Sequence, residues 1–292
     1  MLDNRYATFA LLCKNKSYTK TARALFITQP AVSQQIKSLE DELQLKLVEY
    51  HHPRLEITSA GEQLAHFIET TQHQEDKLLT QLRQPISTTN LKFGVTHSVS
   101  ILIAPALIQN WRKKYHNIQC IVSNTRDILS QIDEGTLDFA VLEGNFDKHA
   151  YGSQIVTYEK FVAVTRSSNP LANQKNLALE KVLSEPLLLR EEGSGTRSIF
   201  TDWASSFNIY KEDFAQVLEL GSSTGIIKLL ETTGISFMYQ SLVQAELESK
   251  KLALLKIQGL DLTRPISLVY AKDSFFENEY RQLFLTGINS AF

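Results

Sequence analysis

Apolar residues at the start of the chain recur three or four apart, the spacing that places them on one face of a helix. Tyr6, Phe9, Ala10 and Cys13 predict a first helix over about residues 3–15. Lys14-Asn15-Lys16-Ser17 breaks it, and Thr19–Phe26 predicts a short second helix with Ala22 and Leu25 facing inward. After the break at Ile27-Thr28-Gln29-Pro30 comes a third helix ending near Leu43, with Val32, Ile36, Leu39 and Leu43 as its buried stripe. Thr28 suits its N-cap, and Pro30 is tolerated in the first turn, where a missing N–H has no partner to lose. Leu45–Val48 and Leu55–Thr58 are strand-like runs around His51-His52-Pro53-Arg54, which predicts a hairpin wing. Thr58 then caps a helical stretch ending near Arg83, about 25 residues and roughly 38 Å long. Its stripe is intermittent: Leu64, Phe67, Ile68, Thr71, Leu78, Leu79 and Leu82, interrupted over residues 72–77. So small an amino-terminal domain offers little surface to cover so long a helix, so pairing with a second subunit is favoured over packing on its own domain.

Beyond a polar hinge at 85–90 the pattern changes. Strands at Leu91–Thr96, Ile118–Val122, Leu137–Leu142, Phe161–Thr165, Leu187–Leu189 and Ile235–Tyr239 alternate with helices at Ile101–Tyr115, Asp127–Asp133, Arg197–Phe207 and Ile226–Thr232. Alternation of this kind predicts parallel sheets flanked by helices. EGTLDFAVL (134–142) and ETTGISFMY (231–239) look alike, each a helix end, a small-residue turn and a buried strand, which suggests two similar α/β lobes.

Composition narrows the class. The 292 residues are 43% hydrophobic and 21% charged, with mean hydropathy −0.17. That excludes wholesale disorder and low complexity, and the length suits two or three domains. No apolar run approaches the ~20 residues needed to span a bilayer. The first residues lack the pattern of a secretory signal, and two cysteines make neither a disulfide framework nor a zinc cluster. A cytoplasmic protein with no membrane contact is expected. The net charge of −2 is unevenly placed. Residues 1–39 hold Arg5, Lys14, Lys16, Lys20, Arg23 and Lys37 against the single acid Asp3, a net of +5, which leaves −7 for the remainder. A basic end on an acidic body points to nucleic acid at that end.

The polar face of the third helix carries Pro30, Ser33, Gln34 and Lys37, with Thr28 and Gln29 at its edge. Short and amide-bearing side chains suit base-edge hydrogen bonding in a major groove, where Gln is bidentate to adenine and Lys reaches guanine or phosphate. A merely solvated face is the competing reading; a short helix, turn and second helix in a +5 segment favour DNA. His52 and Arg54 on the wing are placed to reach the backbone or minor groove. With no nearby cysteine or acid cluster, His51 and His52 read as a surface turn rather than metal ligands.

The stretch TARALFITQPAVSQQIKSLEDELQLKLVEYHHPRLEITSAGE resembles the winged helix-turn-helix of LysR-type transcriptional regulators. The matching residues are Ala22, Ala24-Leu25, Gln29-Pro30-Ala31-Val32-Ser33, Ile36, Leu39-Glu40, Leu43, Leu47 and Thr58-x-Ala60-Gly61. Gln44, Val48 and Tyr50 stand where the family usually has Gly, Phe and Arg, which removes one expected phosphate contact. The resemblance implies a multi-domain chain: a winged helix-turn-helix (1–58), a linker and dimerisation helix (59–84), a hinge (85–90), and a two-lobed α/β effector domain like the periplasmic binding proteins. Lobe I would be 91–161 with 269–292, and lobe II 162–268. The crossovers would fall near Glu159–Val162 and Leu268–Lys272, with a final helix over 273–292. The Glu143-Gly144 pair and the EGSGTR loop are similar to the branch containing the carbon-fixation regulators.

Loops after strands are where open α/β sheets bind ligands. Ser98 and Ser100, Thr125, the run Gly193-Ser194-Gly195-Thr196, and Ser222 lie in such loops. Hydroxyls and free amides at helix N-termini suit an anion. In the family, hydroxyl residues matching Ser98 and Thr125 line the effector cleft. A small anionic or carboxylate effector is therefore expected and no cofactor; Glu143 would instead accept an ammonium group. Ordinary N-caps and plain loops are the alternative for each of these residues. The glycine loop is not a dinucleotide fingerprint, since position 198 is Ser198. There is no GxSxG, HExxH or P-loop, so enzyme chemistry is not expected. The sequence reads as a regulator whose partners are an operator duplex, its own copies as homodimer or homotetramer, and a small effector. The runner-up is a solute-binding module with no DNA role.

Overall fold

The computed structural model describes residues 3–51, 54–83 and 90–288. The chain divides into two compact units, residues 1–86 and most of residues 87–292.

The first unit is α1 (Asn4–Asn15), α2 (Tyr18–Ala24), α3 (Gln29–Leu43), β1 (Val48–His51), β2 (Arg54–Ile57) and α4 (Ser59–Arg83). Each of the first three helices starts on a side-chain cap: Asp3 accepts from the Arg5 N–H, Ser17 from Lys20, and Thr28 from Ala31. Such caps satisfy amides that a helix start leaves unpaired. Phe9, Leu12, Val32, Ile36, Leu39, Leu47 and Ile68 form the core. The wing begins three residues later than the apolar run suggests, with Val48 opposite Ile57. The reason is Glu40. Its buried carboxylate accepts the Leu47 N–H at 2.8 Å and the Val48 N–H at 3.3 Å, so residues 45–47 make the turn rather than a strand. Gly61 is held by close approach: a Cβ there would lie 2.3 Å from the Leu47 carbonyl oxygen.

The second unit opens with β3 (Asn90–Thr96), α5 (His97–Leu102), α6 (Ala104–Trp111), β4 (Asn117–Ser123), α7 (Thr125–Asp133) and β5 (Phe139–Glu143). The long β6 (Tyr151–Arg166) leads to β7 (Pro186–Arg190), α8 (Gly195–Ser205), β8 (Gln216–Leu220), α9 (Ser223–Leu230), β9 (Ile235–Tyr239), α10 (Gln244–Glu248) and β10 (Leu252–Leu255). β11 (Leu262–Ala271) and α11 (Glu277–Ile288) complete the chain. The single helix expected over 101–115 is two, because Pro105 sits in the first turn of α6 and cannot continue α5.

The strands run in the order β4-β3-β5-β11-β6-β9-β7-β8, with β10 also on β6. β3, β4 and β5 are parallel, as are β7, β8 and β9; β6, β10 and β11 pair antiparallel, so the sheet is mixed rather than purely parallel. β6 and β11 span both halves: β6 pairs with β9 only at Phe161–Thr165, and β11 pairs with β5 only at Ile266–Val269. These are the two crossovers. The second therefore comes before Leu268, not at 268–272, because Ile266 to Val269 already belong to the lobe I ladder. Lobe I packs Phe93 edge-on against Trp111 at 4.9 Å and Phe139 against Tyr280 at 5.3 Å, which seats α11 on that lobe. Lobe II has its own core around Phe161, Leu188, Phe200, Trp203, Leu230 and Phe237.

Candidate DNA-binding face and interlobe site

Thr28, Gln29, Pro30, Ser33, Gln34 and Lys37 are all exposed on α3, opposite its buried stripe. Thr28 is committed to the cap, accepting the Ala31 N–H at 3.3 Å. The six cations of the basic segment divide. Arg5 pairs with Asp3 and Glu42, and Lys14 with Glu69. Lys16, Lys20, Arg23 and Lys37 have no ion-pair partner among the described residues, and stay available to phosphate. Phe26 is a surprise. Assigned above to the second helix, it lies past the end of α2 in the left-handed region (φ 55°) and is 96% exposed. His52 lies outside the described residues; Arg54 begins β2, and its side chain lies outside them too.

In the second unit the structure gathers Ser98, Thr125, Glu143, Gly195 and Thr196 at one junction between the lobes. Glu143 ends β5 and is 1% exposed. One carboxylate oxygen accepts from the Thr196 hydroxyl of lobe II at 2.9 Å, the other from Thr96 of lobe I at 2.9 Å. Ser98 stands 3.4 Å from the Thr196 hydroxyl. Burial raises the Glu143 pKa above the usual carboxylate range, against the opposing pull of these hydroxyls and the Arg190 charge. Thr125 donates to the Glu143 carbonyl at 3.0 Å and accepts the Gly195 N–H at 3.1 Å. The fit is close: a Cβ on Gly144 would lie 2.6 Å from the Gly195 Cα, and one on Gly195 2.5 Å from the Glu143 carbonyl oxygen.

Several of the donors that the sequence offered to an anion are thus taken up within the protein, some of them between the lobes. At the start of α7, the Arg126 N–H goes to the Gly193 carbonyl and the Asp127 N–H to Asn124. Glu143 fills the hydroxyl cage with a carboxylate of the protein itself. Ser194 is buried at the start of α8 without a side-chain cap bond. Ser100 and Ser222 stand outside the junction's bonds: Ser100 donates to the His97 carbonyl, and exposed Ser222 caps α9 through the Gly225 N–H. The buried hydroxyl is that of the next residue, Ser223, which accepts from Arg190 at 2.8 Å. Arg190 was missed, as was its pairing with Glu191 at 2.7 Å. A cation closing a buried apolar strand, PLLLR, was the available signal. Its charge, after burial, helps lower the pKa of His97. Burial pushes the thiols of Cys13 and Cys120 up to about 12 and about 11, so neither is the thiolate that oxidation chemistry requires.

No helix among the described residues is long and apolar enough to cross a membrane, and none of their His, Cys, Asp and Glu side chains form a metal-binding group. The LysR substrate binding domain matches residues 87–284, and the bacterial regulatory helix-turn-helix of the lysR family matches residues 4–62. The RuBisCO operon transcriptional regulator of Allochromatium vinosum is 24% identical over 90% of this chain and 88% of its own. The transcriptional activator CmpR of Synechocystis is 26% identical over 92% of this chain and 89% of its own. Among solved structures, full-length LysG from Corynebacterium glutamicum with bound effector Arg superposes with a TM-score of 0.72 at 15% identity, covering 99% of both chains. The Synechocystis CcmR regulatory domain in complex with 2-PG gives 0.61 at 20% identity, covering 68% of this chain and 96% of that one. An exposed amide-rich helix face, a wing and a two-lobed α/β unit carry the same conclusion as these matches: the chain belongs to the LysR family, as a DNA-binding transcriptional regulator with an effector-binding domain.

Proposed function

We propose that the protein binds an operator as a dimer or dimer of dimers, joined through α4, with α3 in the major groove. Gln29, Ser33 and Gln34 read base edges, Lys37 reaches guanine or phosphate, and the wing, through His52 and Arg54, follows the backbone. The observation that carries this reading is the α3 face, exposed along its length, in a segment whose Lys16, Lys20, Arg23 and Lys37 have no ion-pair partner among the described residues. A small-molecule effector engages the interlobe junction around Ser98, Thr125, Glu143 and Gly193–Thr196, with Ser100 and Ser222 at its margin, and changes how the lobes meet. Since each contact there joins lobe I to lobe II or borders one that does, a ligand competing for any of them alters lobe geometry. This differential contact is what a ligand needs in order to shift a conformational equilibrium. A gel shift with the DNA upstream of the protein's own gene tests the operator reading: a discrete complex that survives competitor DNA is expected. Only salt-sensitive binding, equal on all sequences, would reject it.

A further inference from the structure

We propose a second ligand subsite in the hinge cavity: a place for the anionic end of a short, doubly charged organic acid or phosphate, held by Lys148 and Arg264. It rests on the reading of the second unit as ligand-responsive, and it moves the anion away from the hydroxyl cage that Glu143 occupies.

The cavity, about 580 Å³, lies beyond Gly144 from that cage, where β6 and β11 cross between the lobes. Its size falls within the range of small-molecule sites, roughly 300–1,000 Å³. Ser153 of β6 and Ser267 of β11 supply hydroxyls, Phe146 and Ile155 apolar wall, and Lys148 and Arg264 the only formal charges among the residues lining it. Both are cations, and neither has an ion-pair partner among the described residues. Arg264 is the more telling. Its Nε is shielded from solvent and makes no hydrogen bond, and a buried guanidinium N–H without an acceptor is costly. The acid opposite it in the ladder, Glu159, takes the Ser241 hydroxyl instead. Asp202 accepts from the amide of Asn145, one of the lining residues, at 2.7 Å. A planar fork without its acid, a second cation on the same cavity and two hydroxyls form a recognisable set: the fork binds one carboxylate or phosphate bidentately, and the lysine neutralises the second charge. The apolar walls leave room for a short carbon chain. Arg264 lies at the second crossover, so an anion bound there would act on the hinge itself.

The test uses the full chain and three probes, inorganic phosphate, succinate and uncharged succinamide, measured by calorimetry and thermal shift. Saturable binding of phosphate or succinate at up to millimolar concentrations is expected, with none for succinamide. Arg264→Gln and Lys148→Ala should each weaken it about tenfold or more, the loss of one charge-assisted hydrogen bond. Arg264→Lys should recover only part, because the fork is gone. Should Arg264→Gln fail to fold, exposed Lys148 decides alone. Absence of saturable binding, or binding indifferent to Lys148 and Arg264, overturns the subsite, and binding lost only in Thr196→Val returns the anion to the hydroxyl cage. Operator binding by the same preparations separates the failures: intact DNA binding without anion binding rejects this subsite and leaves the regulator reading standing.

Discussion

Glu143 sets the character of the interlobe junction. Its pKa is raised in the fold, so stability contributed by the protonated form is complete below the ordinary carboxylate value of about 4.3 and is lost as pH rises through the higher folded value. Glu143→Gln keeps the shape and removes the titration. Denaturant midpoints of the wild type should fall across that window, while the variant stays flatter. Parallel pH profiles for the two proteins would mean that the carboxyl is not the group responsible. On the DNA side, Gln34 is exposed one helical turn beyond Pro30. Gln34→Ala should cost roughly 1–3 kcal/mol on the operator and little on random DNA. Equal losses on both would make it a backbone contact or a bystander.

At the scale of elements, α4 is the clearest case for a partner. Its residues do not share one fate. Ile68 is buried and Leu64 packs against the core of the first unit, whereas Phe67 is 57% exposed and Leu82 73% exposed. The stripe read from the sequence therefore divides into a part that stabilises its own domain and a part left uncovered. Leu82→Asp should give monomers by sedimentation with an unchanged melting temperature, since that side chain is largely exposed in the single chain. Leu64→Asp should destabilise the domain itself, because a charge placed against a core without a partner costs several kcal/mol. An unchanged oligomer in Leu82→Asp would move the interface off this face of α4.

For the whole molecule, the relation between the lobes depends on a few close approaches. Gly195→Ala would put a Cβ 2.5 Å from the Glu143 carbonyl and 2.6 Å from the Thr125 hydroxyl. The lobes must then separate or strain, at about 1–3 kcal/mol. A larger radius of gyration in small-angle scattering is expected, with effector-dependent operator binding lost while DNA affinity remains. Unchanged scattering and an unchanged response would show that this contact does not set lobe geometry.

Much was legible in the residues alone, because local rules decide it. The cap at Thr28, the stripe of Val32, Ile36 and Leu39, and the alternation of strands with helices follow from hydrogen-bond need and periodicity within a few residues. The exposed polar face of α3 is the complement of that stripe, so it too was visible. What distant residues do to one another was not. Glu40 delays the wing by bonding amides seven and eight positions away. Glu143 reads as an open acid in sequence, yet Thr196, 53 positions on, closes the cage around it. Arg264 looks like one more surface cation until β6 and β11 bring Lys148 beside the same cavity. Sequence periodicity determined which residues face inward; only the folding of two lobes across β6 and β11 decided which donors would be spent on the protein itself and which would be left for a ligand. The physical reason is that a polar group's partner is set by distance in space, and local pattern carries no record of it.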